Sequence, residues 1–124
     1  YLVENGANIH FNNNIALRFS AIYGHLEVVK YLVENGAYMC EINDALGKSA
    51  RNGYLEVVKY LVENGANIHF NDNQALRASI SKGHLEVVKY LVENGADNLG
   101  HALVLSAANG YLKIVKYLVI KLCK

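Results

Sequence analysis

Apolar and polar positions alternate along this chain in two recurring helical blocks. Leu55, Val58, Leu61 and Val62 fall at i, i+3, i+6 and i+7, the apolar stripe of an amphipathic helix. Glu56, Lys59 and Glu63 fall on the other face, with Lys59 and Glu63 one turn apart. The same run, Leu-Glu-Val-Val-Lys-Tyr-Leu-Val-Glu-Asn, begins at Leu26 and Leu85, and a degraded copy begins at Leu112. Ahead of each run stands a shorter block that opens on an Ala-Leu pair: Ala16-Leu17, Ala45-Leu46, Ala75-Leu76 and Ala102-Leu103. That leucine, a serine three residues on and the small or apolar residue after it make one narrow face, on which neighbouring helices can approach closely. The serines are Ser20, Ser49, Ser79 and Ser106, and each is expected to bond the carbonyl one turn back, hiding its polarity. The pattern therefore predicts pairs of short helices, A and B. Gly24, Gly53, Gly83 and Gly110 are expected to stop helix A, and Gly36, Gly65 and Gly95 to stop helix B. The polar stretches Asn8–Asn14, Tyr38–Asn43 and Asn67–Asn73 are predicted as loops, since asparagine tolerates left-handed turns.

The blocks are copies of one unit. Tyr-Leu-Val-Glu-Asn-Gly-Ala occurs at 1–7, 31–37, 60–66 and 90–96, and a fifth, degraded copy starts at Tyr117, giving spacings of 30, 29, 30 and 27 residues. Helices this short are marginal alone. Stacked side by side they bury a continuous core, each unit touching its neighbours. The spacing divides the chain into a partial repeat over 1–7, repeats over 8–37, 38–66 and 67–96, and an atypical unit over 97–124. That last unit has a shortened entry at Asp97–Gly100 and ends Ile120-Lys121-Leu122-Cys123-Lys124 with no glycine stop, so it is expected to cap the array. The first residue is Tyr1, not methionine, and it falls in mid-helix B, so the chain is expected to come from a longer array, with Leu2 short of neighbours.

Composition narrows the class. A chain of 124 residues, 52% hydrophobic with formal net charge +1, suits one compact unit and argues against a broadly basic nucleic-acid binder. No apolar run approaches the roughly 18 residues of a membrane span, and neither a leader nor a transit pattern is present. Two separated cysteines, Cys40 and Cys123, fit a reducing compartment, so an intracellular location is expected. Proline is absent. Residues 1–97 hold all 11 acids and 8 of the 12 bases, net −3, whereas residues 98–124 hold Lys113, Lys116, Lys121 and Lys124, net +4. Lys121 and Lys124 read as favourable charges near a helix end, ahead of the alternative that the basic tail touches an acidic partner or a membrane surface.

The run Gly-His-Leu-Glu-Val-Val-Lys-Tyr-Leu-Val-Glu-Asn-Gly-Ala at 24–37 and 83–96, repeated at 53–66 with Tyr54 for histidine, resembles the second helix and exit of an ankyrin repeat. The resemblance covers essentially the whole chain. Ankyrin repeats usually open their first helix on Thr-Pro-Leu-His-x-Ala with a period of about 33. Here alanine stands in the proline position (Ala16, Ala45, Ala75, Ala102), and the histidine position holds Arg18, Gly47, Arg77 and Val104. The leucine is kept, and the missing residues fall in the projecting hairpin. Short repeats with Ala-Leu-Arg are similar to the ankyrin arrays of giant DNA viruses, which implies a host-cytoplasmic or virus-associated protein. Tetratricopeptide repeats, with a period of 34 and a tryptophan marker, fit worse.

Candidate chemistry is thin. His25 and His84 alternate with Tyr54 and Tyr111 at one repeat position, and His10 and His69 share a loop position, with no zinc-ligand spacing. They read as helix-start and turn histidines. Cys40 and Cys123 lack a companion base. Glu27 with Glu34, and Glu56 with Glu63, alternate with lysines as solvated helix faces. Tyr31, Tyr60, Tyr90 and Tyr117 lie in the most uniform segment and read as packing between repeats. No enzyme activity, cofactor or metal is expected.

Uniform positions should carry the stack, and divergent ones are free to read a partner. The two residues before each helix-A glycine differ in every copy: Ile22-Tyr23, Arg51-Asn52, Ser81-Lys82 and Ala108-Asn109. Position six before the glycine varies too, with Arg18 and Arg77 in two copies. The ankyrin resemblance implies a concave, helix-A side where partners bind. It carries Arg18, Ile22, Tyr23, Arg51, Asn52, Arg77, Ser81 and Lys82 as candidate contacts, with tyrosine and arginine the usual hot-spot types. The expectation is an all-α solenoid, monomeric, that binds a protein partner and neither nucleic acid nor membrane. The alternatives are a structural spacer or the recognition part of an adaptor whose effector lies elsewhere. Leu55→Ala or Leu85→Ala is expected to cost roughly 2–5 kcal/mol if the stripe is buried.

Overall fold

The computed structural model describes the backbone of residues 6–123 and the side chains of residues 12–123; the expected start in mid-helix B at Tyr1 and Leu2 lies outside them. The described residues form eight helices and no strand: α1 Gly6–Tyr23, α2 Leu26–Glu34, α3 Met39–Arg51, α4 Leu55–Glu63, α5 Phe70–Ser81, α6 Leu85–Glu93, α7 Leu99–Ala108 and α8 Leu112–Leu122. Odd-numbered helices are the A helices and even-numbered ones the B helices. Each A helix packs on its own B helix and on the next A helix, and α2, α4, α6 and α8 line up behind them more loosely. This is a two-layer helical solenoid.

The local devices read from the sequence are present. Ser20, Ser49, Ser79 and Ser106 donate to the carbonyls of Leu17, Leu46, Leu76 and Leu103 at 2.9, 3.1, 2.8 and 3.0 Å. Each hydroxyl is thus satisfied in a buried seat where water cannot reach it. The helix-A glycines end their helices at φ of +74° to +79°, and the helix-B glycines at +100° to +108°. L-residues reach that left-handed region only with strain.

Three loop expectations need correction. Asn8–Asn14 is helical, within α1, although Asn67–Phe70 of the same sequence turns. The difference is tertiary. The Asn67 N–H is held by Asn43 Oδ1 at 2.8 Å on the preceding A helix, and Ile68 is sealed beneath it. Residues 8–14 instead run on as part of helix α1. Tyr38–Asn43 is helical from Met39, because the Glu41 carboxylate accepts the Tyr38 N–H at 2.9 Å and caps the first turn. In the last unit the helix starts at Leu99, after a left-handed Asn98, so Gly100 is helical rather than part of a loop. The third stretch holds as a turn: Asn71, Asp72 and Asn73 are all left-handed (φ 54°, 58° and 59°), and right-handed helix resumes after them.

The buried stripe is wider than the sequence periodicity gave. Leu17, Leu46 and Leu76 of the A helices share one buried core with Val29, Val58 and Val88 and with Leu61, Leu91 and Leu118 of the B helices, all sealed. Val57, Val87 and Ile114 are sealed as well, on the side that meets the preceding unit. Leu55 and Leu85 are only half-buried, so their truncation falls at or below the low end of the expected range, and Leu61 and Leu91 inherit the large effect.

Candidate partner-binding surface

The last turn of each A helix and the glycine that ends it set the candidate side chains at one edge of the stack. Arg51, Ser81 and Lys82, with Ala78, line a shallow, open depression of about 300 Å³ between α3 and α5. Tyr23 is exposed and stacks on Phe19, ring centroids 6.5 Å apart and planes 11° off parallel. Ile22 is half-buried beside it. Asn52 caps its own helix: its amide donates to the Lys48 carbonyl at 3.0 Å.

The two other arginines are engaged internally. Arg18 Nε bonds Asp44 Oδ2 at 3.2 Å on the next A helix, and Lys48 approaches the same carboxylate at 3.8 Å. Arg77 donates to the carbonyls of Asp72 and Asn71, both at 2.9 Å, and so pins the left-handed run. Both occupy the position where an ankyrin repeat usually carries histidine. These contacts set them apart from Arg51, Ser81 and Lys82, which share the depression.

Two contact ladders run behind this edge. The tyrosine ladder was legible as packing between repeats. Lys30, Lys59 and Lys89 each set an ammonium over the ring of the next unit's tyrosine, Tyr60, Tyr90 and Tyr117, at 5.8, 6.0 and 5.8 Å. The Tyr60 and Tyr117 hydroxyls donate to Glu34 and Glu93 at 3.5 and 3.4 Å. The second ladder was missed. The ring after each helix-A glycine lies on the helix-A glycine of the unit before it: Tyr54 on Gly24, His84 on Gly53 and Tyr111 on Gly83. A ring in all four copies was its signal; His84, expected at a helix start and turn, stands at the N-cap of α6 and also packs on Gly53.

A third repeated device was also missed. Asn43 receives the Asn67 N–H, and the Asn73 amide donates to Asp97 Oδ1 at 2.7 Å, each fastening the entry of the next unit. These asparagines stand ten residues before the marker glycine, as does Asn14. Gly100 replaces them in the last unit. The Asn73 hydrogen bond holds the Asp97 carboxyl below the ordinary carboxylate range against the opposing effect of burial, and the nearby His69 ring, 3.5 Å away, adds to the lowering.

Burial first, then the adjacent carboxylates, pushes Tyr60, Tyr90 and Tyr117 above the ordinary tyrosine value of 10.0. A raised folded pKa favours the neutral phenol in the native state. The corresponding stability is complete below the unfolded value and is lost as pH rises through the folded one. The array is therefore expected to lose thermal stability above pH 10.0, and replacing all three tyrosines with phenylalanine should lessen that loss. Melting temperatures across the alkaline range check this; an unchanged slope would show that these phenols are not the groups responsible.

Among the described residues no three His, Cys, Asp or Glu side chains gather as a metal-binding group, and Cys40 and Cys123 are free and exposed. No described helix is long and apolar enough to cross a membrane. Stacked helix pairs presenting a variable edge over a uniform core define a helical repeat scaffold. The family described as Ankyrin repeats (3 copies) matches residues 1–72 and again 46–124. The chain belongs to the ankyrin repeat family, whose members are generally protein–protein interaction modules and typically not enzymes. A protein of Acanthamoeba polyphaga mimivirus, named as a putative ankyrin repeat protein, is 46% identical over 43 residues, spanning 35% of this chain and 33% of that relative. This chain thus matches about a third of that viral relative's length.

Proposed function

We propose that the array is a non-catalytic module that captures a protein partner on its helix-A edge, reading it with Tyr23, Arg51, Asn52, Ser81 and Lys82 beside Ile22. The observation that carries the reading is the shared depression of Arg51, Ser81 and Lys82, built from positions that diverge while the stack around them is uniform. Arg51 and Lys82 favour an acidic stretch of the partner, and the exposed Tyr23–Phe19 pair offers an apolar anchor. Arg18 and Arg77 support this edge through Asp44 and the 71–72 carbonyls. The working unit is the run of repeats 8–37, 38–66 and 67–96 followed by 97–124, acting in the cell interior.

The test is affinity capture with the chain and with Tyr23→Ala plus Arg51→Ala, analysed side by side by mass spectrometry. The double variant is expected to lose at least one captured protein by tenfold or more while its helical circular dichroism stays the same. Equal capture by both would remove this surface from the reading and leave the spacer alternative.

A further inference from the structure

Most cations of the array already have an internal partner. Arg18 and Lys48 share Asp44, and Arg77 is held by two carbonyls. Lys30, Lys59 and Lys89 each approach the glutamate three residues back, at 3.8, 3.9 and 4.0 Å. Among the described residues up to Asp97, Arg51 and Lys82 are the arginine and the lysine whose side chains form no ion pair and no hydrogen bond. These two line the same depression between α3 and α5, with Ser81 beside them, and no acid lines it. The Ser81 hydroxyl likewise forms no hydrogen bond with a described residue.

The charge of this depression is unusual for the molecule. Between the B helices, Lys30 and Lys59 alternate with Glu56 and Glu63, so charge is balanced there within the chain. The neighbouring positions along the A edge differ too. Ile22-Tyr23 stands in the unit before and Ala108-Asn109 in the unit after, so only the α3–α5 pair brings two cations together. Cations at a helix end can also answer the helix's own carbonyls. Here those carbonyls are taken by backbone N–H groups: Lys48 and Ala50 accept from Asn52 and Gly53 at 3.3 and 3.2 Å, and Ala78 and Ile80 accept from Lys82 and Gly83 at 3.3 and 3.0 Å. The two helix ends are tied to each other by the His84 ring on Gly53, and the Tyr111 hydroxyl donates to the Ser81 carbonyl at 3.3 Å from the next unit. The cationic heads therefore stand on a braced edge, which lowers the ordering that binding would require.

We propose that this depression takes a phosphorylated side chain of the protein partner, an inference that rests on the helix-A edge being the partner-binding surface. A phosphate ester carries close to two negative charges at neutral pH and three strong acceptor oxygens. Two uncompensated cations and one hydroxyl donor match that count, whereas a single carboxylate neutralises only one of the cations. The Arg51 guanidinium donates through its planar fork, the Lys82 ammonium acts as a point charge, and the Ser81 hydroxyl supplies a further donor.

The experiment is an NMR titration of the full chain with three end-blocked peptides, Gly-Gly-X-Gly-Gly, where X is phosphoserine, glutamate or serine. The phosphoserine peptide is expected to shift the backbone amides of Arg51, Ser81 and Lys82 with a Kd of about 1 mM. The glutamate peptide should bind at least about fivefold more weakly, and the serine peptide should leave these amides unmoved. Arg51→Gln and Lys82→Gln should each weaken phosphoserine binding by about tenfold. Both side chains are exposed, so helical circular dichroism should be unchanged. Equal binding of the glutamate and phosphoserine peptides would overturn the proposal. So would no binding of the phosphoserine peptide, or binding that survives both substitutions. If the proposal fails while Tyr23→Ala plus Arg51→Ala still loses its captured protein, the helix-A surface stands and only the phosphoryl group is removed. If capture is also unaffected, the surface itself falls.

Discussion

Gly53→Ala is expected to destabilise the array by about 2–5 kcal/mol, and Gly110→Ala by only about 1–2 kcal/mol. The two glycines share a backbone conformation, at φ of +79° and +74°. A side chain in that region costs about 1–2 kcal/mol at either site. They differ in what a methyl group would meet. At Gly53 it would come within 2.5 Å of His84 Nδ1 and 2.9 Å of the Cγ that roots the ring. At Gly110 it would meet nothing within 4 Å. The His84 ring cannot yield by bending its tip, because its root is also in the way. It must change rotamer or the two units must separate, an overpacking cost of about 1–3 kcal/mol. Urea unfolding of the two variants measures the difference. Equal losses would show that the rings swing aside freely and that the glycine–ring ladder does not hold the units together.

Leu61→Ala is expected to cost about 2–5 kcal/mol, with Leu55→Ala below about 2 kcal/mol. Leu61 is sealed at 0% exposure in a central unit, within the same buried core as Val57 and Val58. Leu55 keeps part of its surface in water already, so less burial is lost. Solenoid stability is a sum of unit and nearest-neighbour contributions, so a hole in the second helix pair weakens coupling on both of its sides. The expected signature is a lower denaturation midpoint for Leu61→Ala, with a broadened transition as the two halves uncouple. A loss at Leu55 that matched or exceeded the loss at Leu61 would mean that the pattern-based stripe, not the observed burial, describes the core.

Much of this was legible from residues alone because each unit solves its backbone problems locally. A serine bonds a carbonyl of its own helix, as Ser49 does with Leu46, and a glycine turns the chain wherever it stands. Those devices are inscribed within a few residues, so repetition exposes them. The candidate surface was legible only as a set of divergent positions. The sequence placed Arg18 and Arg77 in the same class as Arg51, because all three are variable cations. Asp44 and the carbonyls of Asn71 and Asp72 separate them, and those partners lie where one-dimensional spacing does not show them.

The sequence by itself determined the period, the two helices of each unit, their stops and the family. These follow from side-chain periodicity and backbone preference, which act over one or two turns. Only the tertiary structure decided what a given stretch does beside its neighbours. Asn8–Phe11 and Asn67–Phe70 are identical, yet the first continues a helix and the second turns, because Asn43 holds the second from an adjacent A helix. Val28 and Val57 are equally hydrophobic, and one is 48% exposed while the other is sealed. A repeat fixes its own fold locally, but its burial and its loop are set by the units packed against it, because the stabilising free energy of a stack lies largely in the interfaces between units.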